Sequence, residues 1–137
     1  MGNLEEFEHG GMKFIYINFS GATSAKNYEE LMEKAKELVS SHPPKSLFTI
    51  TSVEKLFYDS NIKKLLIGFM KHLEPYVIFG VVVGINGIKK FILHTLLKLS
   101  GRKNMKIKDN KEDAIEWICK NFAETSPPEK RGKGSGG

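Results

Sequence analysis

Tyr76-Val77-Ile78-Phe79-Gly80-Val81-Val82-Val83-Gly84-Ile85 is the stretch on which the fold turns. It is apolar almost without interruption, where a strand with one wet face would alternate. That pattern belongs to a strand buried on both sides, in a parallel sheet layered with helices. We therefore expect it to be a central strand of an α/β domain. Upstream, Asp59-Ser60-Asn61 opens a helix whose apolar stripe is Ile62, Leu65, Leu66, Phe69, Met70 and Leu73, and Pro75 ends it. Downstream, Asn86-Gly87 turns the chain into a third helix, Ile88 to Leu99, closed by Ser100-Gly101.

The same alternation continues outward. Leu4 to His9 and Met12 to Phe19 flank Gly10-Gly11, a pair that supplies the positive φ of a two-residue hairpin turn, so the sheet is expected to begin antiparallel. Ser20-Gly21-Ala22-Thr23-Ser24 reads as a loop ending in a cap. Tyr28, Leu31, Met32, Ala35, Leu38 and Val39 then recur at helical spacing, in a helix that stops before Pro43-Pro44. Ser46 to Val53 is a short β-branched and aromatic run. Met105-Lys106-Ile107-Lys108 is a weak last strand, placed at an edge by its lysines. Asp109-Asn110 caps a final helix, Lys111 to about Glu124, with Ala114, Trp117, Ile118 and Phe122 facing inward.

The order is ββαβαβαβα. It predicts one α/β domain with a mixed, mostly parallel sheet of about five strands, an N-terminal antiparallel hairpin and four flanking helices. The domain is expected over residues 1–125, with 126–137 a disordered, basic, glycine-rich tail.

The composition agrees with a single core: 137 residues, 40% hydrophobic and 27% charged. Cys119 is the one cysteine, which excludes a disulfide scaffold or a thiolate-rich zinc site and fits a reducing cytoplasm. No run reaches the roughly 18 apolar residues of a membrane span. The acidic start, Leu4-Glu5-Glu6-Phe7-Glu8, is not that of a signal peptide, so a cytoplasmic location is expected.

The net charge of +5, from 21 Lys+Arg against 16 Asp+Glu, invites a nucleic-acid reading. Its distribution argues otherwise. Between Gly87 and Lys111, Lys89, Lys90, Lys98, Arg102, Lys103, Lys106, Lys108 and Lys111 face only Asp109, a local +7. The tail adds +2 from Lys130, Arg131 and Lys133 against Glu129, and the remainder is −4. The basic segment carries no interleaved aromatic platform and no nucleic-acid motif, so nucleic acid is an unfavoured partner.

Catalytic groups are not apparent. His9, His42, His72 and His94 are far apart, without ligand spacing, and no Ser or Cys has a base placed beside it. Cys119 falls beside the core stripe of the last helix. Neither a metal nor a cofactor is expected, and the protein is read as not an enzyme.

Three loops end at the carboxyl ends of parallel strands, where sites form in open α/β sheets. Ser20, Gly21 and Thr23 lie in a small-residue loop before a helix, able either to hold an anion on backbone N–H groups or simply to cap. Ser60 lies at the start of the second helix, where Asp59 or Ser60 is an N-cap or Ser60 is a regulatory phosphosite. Gly84, Asn86, Gly87 and Lys89 form a glycine turn with lysines in the next helical turn, either solvated or meeting an anion. On the third helix, Leu93 and Leu97 point away from the core stripe beside Lys90. With Ile67 on the second helix they form a candidate partner patch.

Several segments together resemble the STAS-like (SpoIIAA-like) proteins of bacteria and archaea. These are Tyr16-Ile17-Asn18-Phe19-Ser20-Gly21, Ala35-Lys36-Glu37-Leu38, Pro43-Pro44-Lys45-Ser46-Leu47, Pro75-Tyr76-Val77, Val82 to Lys90 and Leu99-Ser100-Gly101-Arg102. The resemblance covers about residues 4 to 124. It implies a mixed sheet flanked by helices, as in anti-sigma-factor antagonists and the lipid-binding CRAL-TRIO fold. It also implies a regulatory module with a protein partner, an anti-sigma-type kinase or a second copy in a homodimer.

Antagonists carry Asp-Ser-Ser-Gly-Leu at the start of the helix after the third strand. Asp59-Ser60 matches its first two positions, whereas Asn61 and Ile62 replace the second serine and the glycine. Only Ser60 carries over. The alternative reading is a domain that binds a small anionic or lipid-like ligand at the strand ends.

Overall fold

The computed structural model describes residues 3–54, 59–85, 94–95, 98–99, 101 and 103–122. The five strands are β1 (Asn3–His9), β2 (Met12–Asn18), β3 (Leu47–Ser52), β4 (Val77–Val83) and β5 (Met105–Ile107). The helices among the described residues are α1 (Ala25–Ser40), α2 (Ser60–Leu73) and α3 (Lys111–Phe122), with a 3-10 turn at Glu74–Tyr76. Three helices thus stand where four were expected. The fourth, Ile88 to Leu99, falls for the most part outside the described residues, and the four described there, His94, Thr95, Lys98 and Leu99, are helical. The tail expected over 126–137 also lies outside them.

Spatial order follows chain order, β1-β2-β3-β4-β5, with β1 antiparallel to β2 and every later pair parallel. Gly10 (φ 61°) and Gly11 (φ 81°) make the hairpin turn, both in the left-handed region a two-residue loop demands. Each crossover then moves the chain one strand further in the same direction. That progression makes β4 interior, as expected, and puts β3 in the middle. Burial agrees, since Leu47, Phe48, Thr49, Ile50 and Ser52 are all buried while Ile78 and Phe79 of β4 are only half-buried.

The constant direction of the crossovers also puts α1 and α2 on one face. There Ile15, Ile17 and Phe19 meet Tyr28, Leu31 and Ala35 of α1 and Ile62, Leu66 and Phe69 of α2. The second face carries Phe14, Phe48, Ile50, Val81 and Val83, covered by Ala114 and Ile118 of α3. Register lines up one phenylalanine from each of four strands on this side, Phe7, Phe14, Phe48 and Phe79. Phe7 stacks on Phe14 at 5.0 Å, Phe14 meets Phe48 at 5.7 Å, and Phe122 of α3 contacts both Phe48 (5.2 Å) and Phe79 (5.4 Å). Such offset and edge contacts add to the area buried. No described helix is long and apolar enough to cross a membrane.

Candidate functional site

Because β2 to β5 are parallel, their carboxyl ends share one edge of the sheet. The backbone laces this edge together beyond the strands. Phe19 N–H donates to Ser52 O, Val53 N–H to Val83 O and Lys108 N–H to Val82 O, each at 3.0 Å, and Gly84 N–H donates to Asp109 O at 3.3 Å. Gly84 is fixed there by shape: its φ is +80°, and a Cβ would lie 3.0 Å from both Cβ and N of Glu54.

The loop after β2 spends its polar groups on itself. Ser20 N–H donates to Asn18 Oδ1 (2.9 Å), Ala22 N–H to Phe19 O (3.1 Å) and Thr23 N–H to Asn27 Oδ1 (3.2 Å). Thr23 Oγ1 also donates to Asn27 Oδ1 at 3.4 Å, and Ser24 Oγ caps α1 by accepting from Asn27 N–H at 3.2 Å. Gly21 turns the loop with φ 88°. Ser20, Gly21 and Thr23 therefore sit at the shared edge in a self-bonded capping loop. Asn27 is the organising residue that sequence reading passed over, and a polar side chain three places after a serine cap was its signal.

At the start of α2 the cap is Asp59. Its Oδ1 accepts from Ile62 N–H at 2.9 Å, and its carbonyl accepts from Lys63 N–H at 2.9 Å. Ser60 is the first helical residue and is exposed, its hydroxyl not required by the cap. Ile62, at the place of a glycine in the antagonist motif, is fully buried in the core. Ile67 is half-buried and packs against the core at the margin of the helix. Gly84 joins Ser20, Gly21, Thr23 and Ser60 along the same edge. Asn86, Gly87 and Lys89 of that loop, and Lys90, Leu93 and Leu97 of the expected patch, lie outside the described residues.

The outward side of α2 is unlike those of its neighbours. Its fourteen residues contain Lys63, Lys64 and Lys71 and no acidic residue. Among the described residues none of these lysines has a carboxylate partner. In α1, by contrast, Lys36 pairs with Glu33 at 3.2 Å, and Lys111 at the start of α3 pairs with Glu5 at 3.2 Å while lying over the rings of Tyr16 (4.5 Å) and Phe7 (5.0 Å).

Elsewhere the titratable groups serve structure. His42 Nε2 lies 3.1 Å from Glu6 Oε2 and joins the end of α1 to the hairpin. Lys45, with φ 50°, donates its amine to Glu74 O (2.9 Å), Glu74 Oε2 (3.2 Å) and Val77 O (3.3 Å). Burial pushes the Cys119 thiol above its ordinary range. Among the described residues no three His, Cys, Asp or Glu side chains are grouped to hold a metal.

No family model and no curated protein sequence matches this chain. Among solved structures, an anti-sigma-factor antagonist (STAS) domain protein from Planctomyces limnophilus is similar at a TM-score of 0.57. The identity is 9%, over 85% of this chain and 97% of that one. The class is thereby defined at the level of architecture: this chain has a STAS-like fold. The hairpin, the parallel crossovers and the returning C-terminal helix are the features just described.

Proposed function

We propose that this domain is a non-enzymatic regulatory module that binds a protein partner and is switched by phosphorylation of Ser60. The observation that carries the reading is the position of Ser60. It is exposed at the first position of α2, behind an Asp59 cap that does not need its hydroxyl, on the edge shared with Gly21 and Gly84. The structural likeness to an anti-sigma-factor antagonist domain protein supports the same reading. The module is proposed to span residues 1–125, with 126–137 outside it.

Transfer of the γ-phosphoryl group of ATP to Ser60 Oγ forms one O–P bond and releases ADP and the hydroxyl proton. The product adds about two negative charges at the positive end of a helix dipole. Lys63 and Lys64 stand three and four residues on, the spacing at which helical side chains meet. The modified helix start is therefore tolerated, and the change is felt by whatever approaches the edge.

The test is phosphorylation by the anti-sigma-type kinase of the same cell, mapped by mass spectrometry, together with partner binding by Ser60→Asp and Ser60→Ala. Phosphate is expected on Ser60, with binding weakened by Ser60→Asp and kept by Ser60→Ala. Phosphate absent from Ser60, with binding indifferent to both variants, would refute the switch.

A further inference from the structure

We infer that the exposed face of α2 is a docking surface for a carboxylate-rich segment of the protein partner. Two features of this face work against the stability of the helix and are left unexplained by the core. The first is charge. Lys63 and Lys64 lie near the N-terminus of α2, where the helix dipole disfavours cations; the Asp59 carboxylate there is engaged by the Ile62 N–H as the cap, and the first turn itself holds no acidic residue to pair with them. The second is Gly68. It is exposed in the middle of the helix, where glycine costs about 1 kcal/mol relative to alanine. A Cβ there would meet nothing within 4 Å, so the fold of this chain does not require the glycine.

Asn61, Lys64, Gly68 and Lys71 fall at helical intervals on the same exposed side. Together they make a strip in which Lys64 and Lys71 stand on either side of a gap at Gly68, where a partner's backbone can come close. Lysines that have no carboxylate partner among the described residues are complementary to an acidic segment, and that complementarity sets the partner's chemistry. Lys71 favours its own helix end as well, so the argument rests chiefly on Lys64 and Gly68, with half-buried Lys63 at the margin of the strip.

This inference rests on the reading of the domain as an interaction module and gives it a mechanism. A phosphate on Ser60 lies within reach of Lys63 and Lys64, takes up their charge and repels the partner's carboxylates from the same strip. Release then needs no unfolding of the domain.

The experiment titrates the isotope-labelled full chain with a synthetic amphipathic Glu/Leu peptide, following backbone amides by NMR. A single-stranded oligothymidylate and phosphatidylglycerol vesicles serve as competing anions. Shifts are expected at Asn61, Lys64, Gly68 and Lys71, with affinity reduced roughly tenfold or more by the double variant Lys64→Glu, Lys71→Glu. Gly68→Leu is expected to weaken binding severalfold although its side chain has room in the fold; circular dichroism confirms that each variant is folded.

Shifts confined to Lys103–Lys111, or oligothymidylate or vesicles moving the α2 amides as strongly as the peptide, would overturn the inference. So would affinity unchanged in the lysine variant. Phosphorylation on Ser60 alongside an indifferent lysine variant would remove this docking surface alone. Peptide binding on α2 without Ser60 phosphorylation would remove only the switch.

Discussion

The two faces of the sheet are closed in different ways. One lies under both α1 and α2 and is filled by aliphatic side chains with Phe19, Tyr28 and Phe69 among them. The other lies under the twelve residues of α3 and depends on the phenylalanine row, with Phe7, Phe79, Trp117 and Phe122 half-buried. Two helices bring many aliphatic partners to their face, whereas one leaves its flanks to aromatic rings and to lysine stems. Lys111 over Phe7 and Tyr16, and Lys106 over Trp117 at 5.2 Å, fill that role. Ser60 thus opens a helix packed on the aliphatic face, while the other face is fastened at its margins.

The sharpest way to break this contrast is to truncate one helical phenylalanine on each side. Phe69→Ala, at 3% exposure under α2, is expected to cost about 3–5 kcal/mol in urea denaturation. Phe122→Ala on the half-buried side should cost roughly half that. Equal losses would erase the distinction between the faces.

Gly84→Ala tests the edge where the faces meet. With positive φ and Glu54 3.0 Å away, it is expected to lose about 1–3 kcal/mol, visible as a lower thermal midpoint. A neutral result would mean that the loop is freely remodelled. Asp59→Ala removes the α2 cap and should cost about 1 kcal/mol, with faster amide exchange confined to the first turn of α2. Asn110→Ala at the start of α3, where Asn110 Oδ1 accepts from Asp113 N–H at 2.8 Å, provides the matching measurement on the other face.

Lys111→Met keeps a long stem but removes the cation. A loss of about 0.5–1 kcal/mol is expected, shrinking in high salt because Glu5 and the rings are partly exposed. The smallest effect concerns Cys119. Burial holds its thiol protonated further into alkaline pH than a free cysteine, so alkylation by iodoacetamide near pH 8 should be slower in the folded chain than in urea. Equal rates would show that this flank of α3 is open.

Much of the architecture was legible from local chemistry. The Gly10-Gly11 hairpin, the Ser24 and Asp59 caps and the stripe Ile62-Leu66-Phe69 are written in turn residues and periodicity, and each forms as expected. That β4 lies inside the sheet was legible, but not which strand stands in the middle. An apolar run reports burial on both sides, which β3 and β4 share, and only the direction of successive crossovers puts β3 in the middle. Among the site residues, the order of elements already put the Ser20–Thr23, Ser60 and Gly84 loops at the carboxyl ends of parallel strands, but not the backbone bonds, such as Gly84 N–H to Asp109 O, that lace this edge. Asn27 carried a partial signal, a polar side chain three places after the serine cap, but its bonds to Thr23 exist only once the loop folds back onto it.

By itself, then, the sequence determined the elements and their ends, because helix period, caps and glycine turns act over a few residues. It also determined that the charge is local, with the lysines of α2 unopposed by any acid in that helix. The tertiary structure decided which strand is central, which phenylalanines align and which loops meet, since parallel pairing joins residues some thirty positions apart. It alone separated lysines that have partners, such as Lys45 and Lys111, from those on α2 that have none among the described residues. Charge is a property of a residue, but its neutralisation depends on distance, and distance is set by the fold.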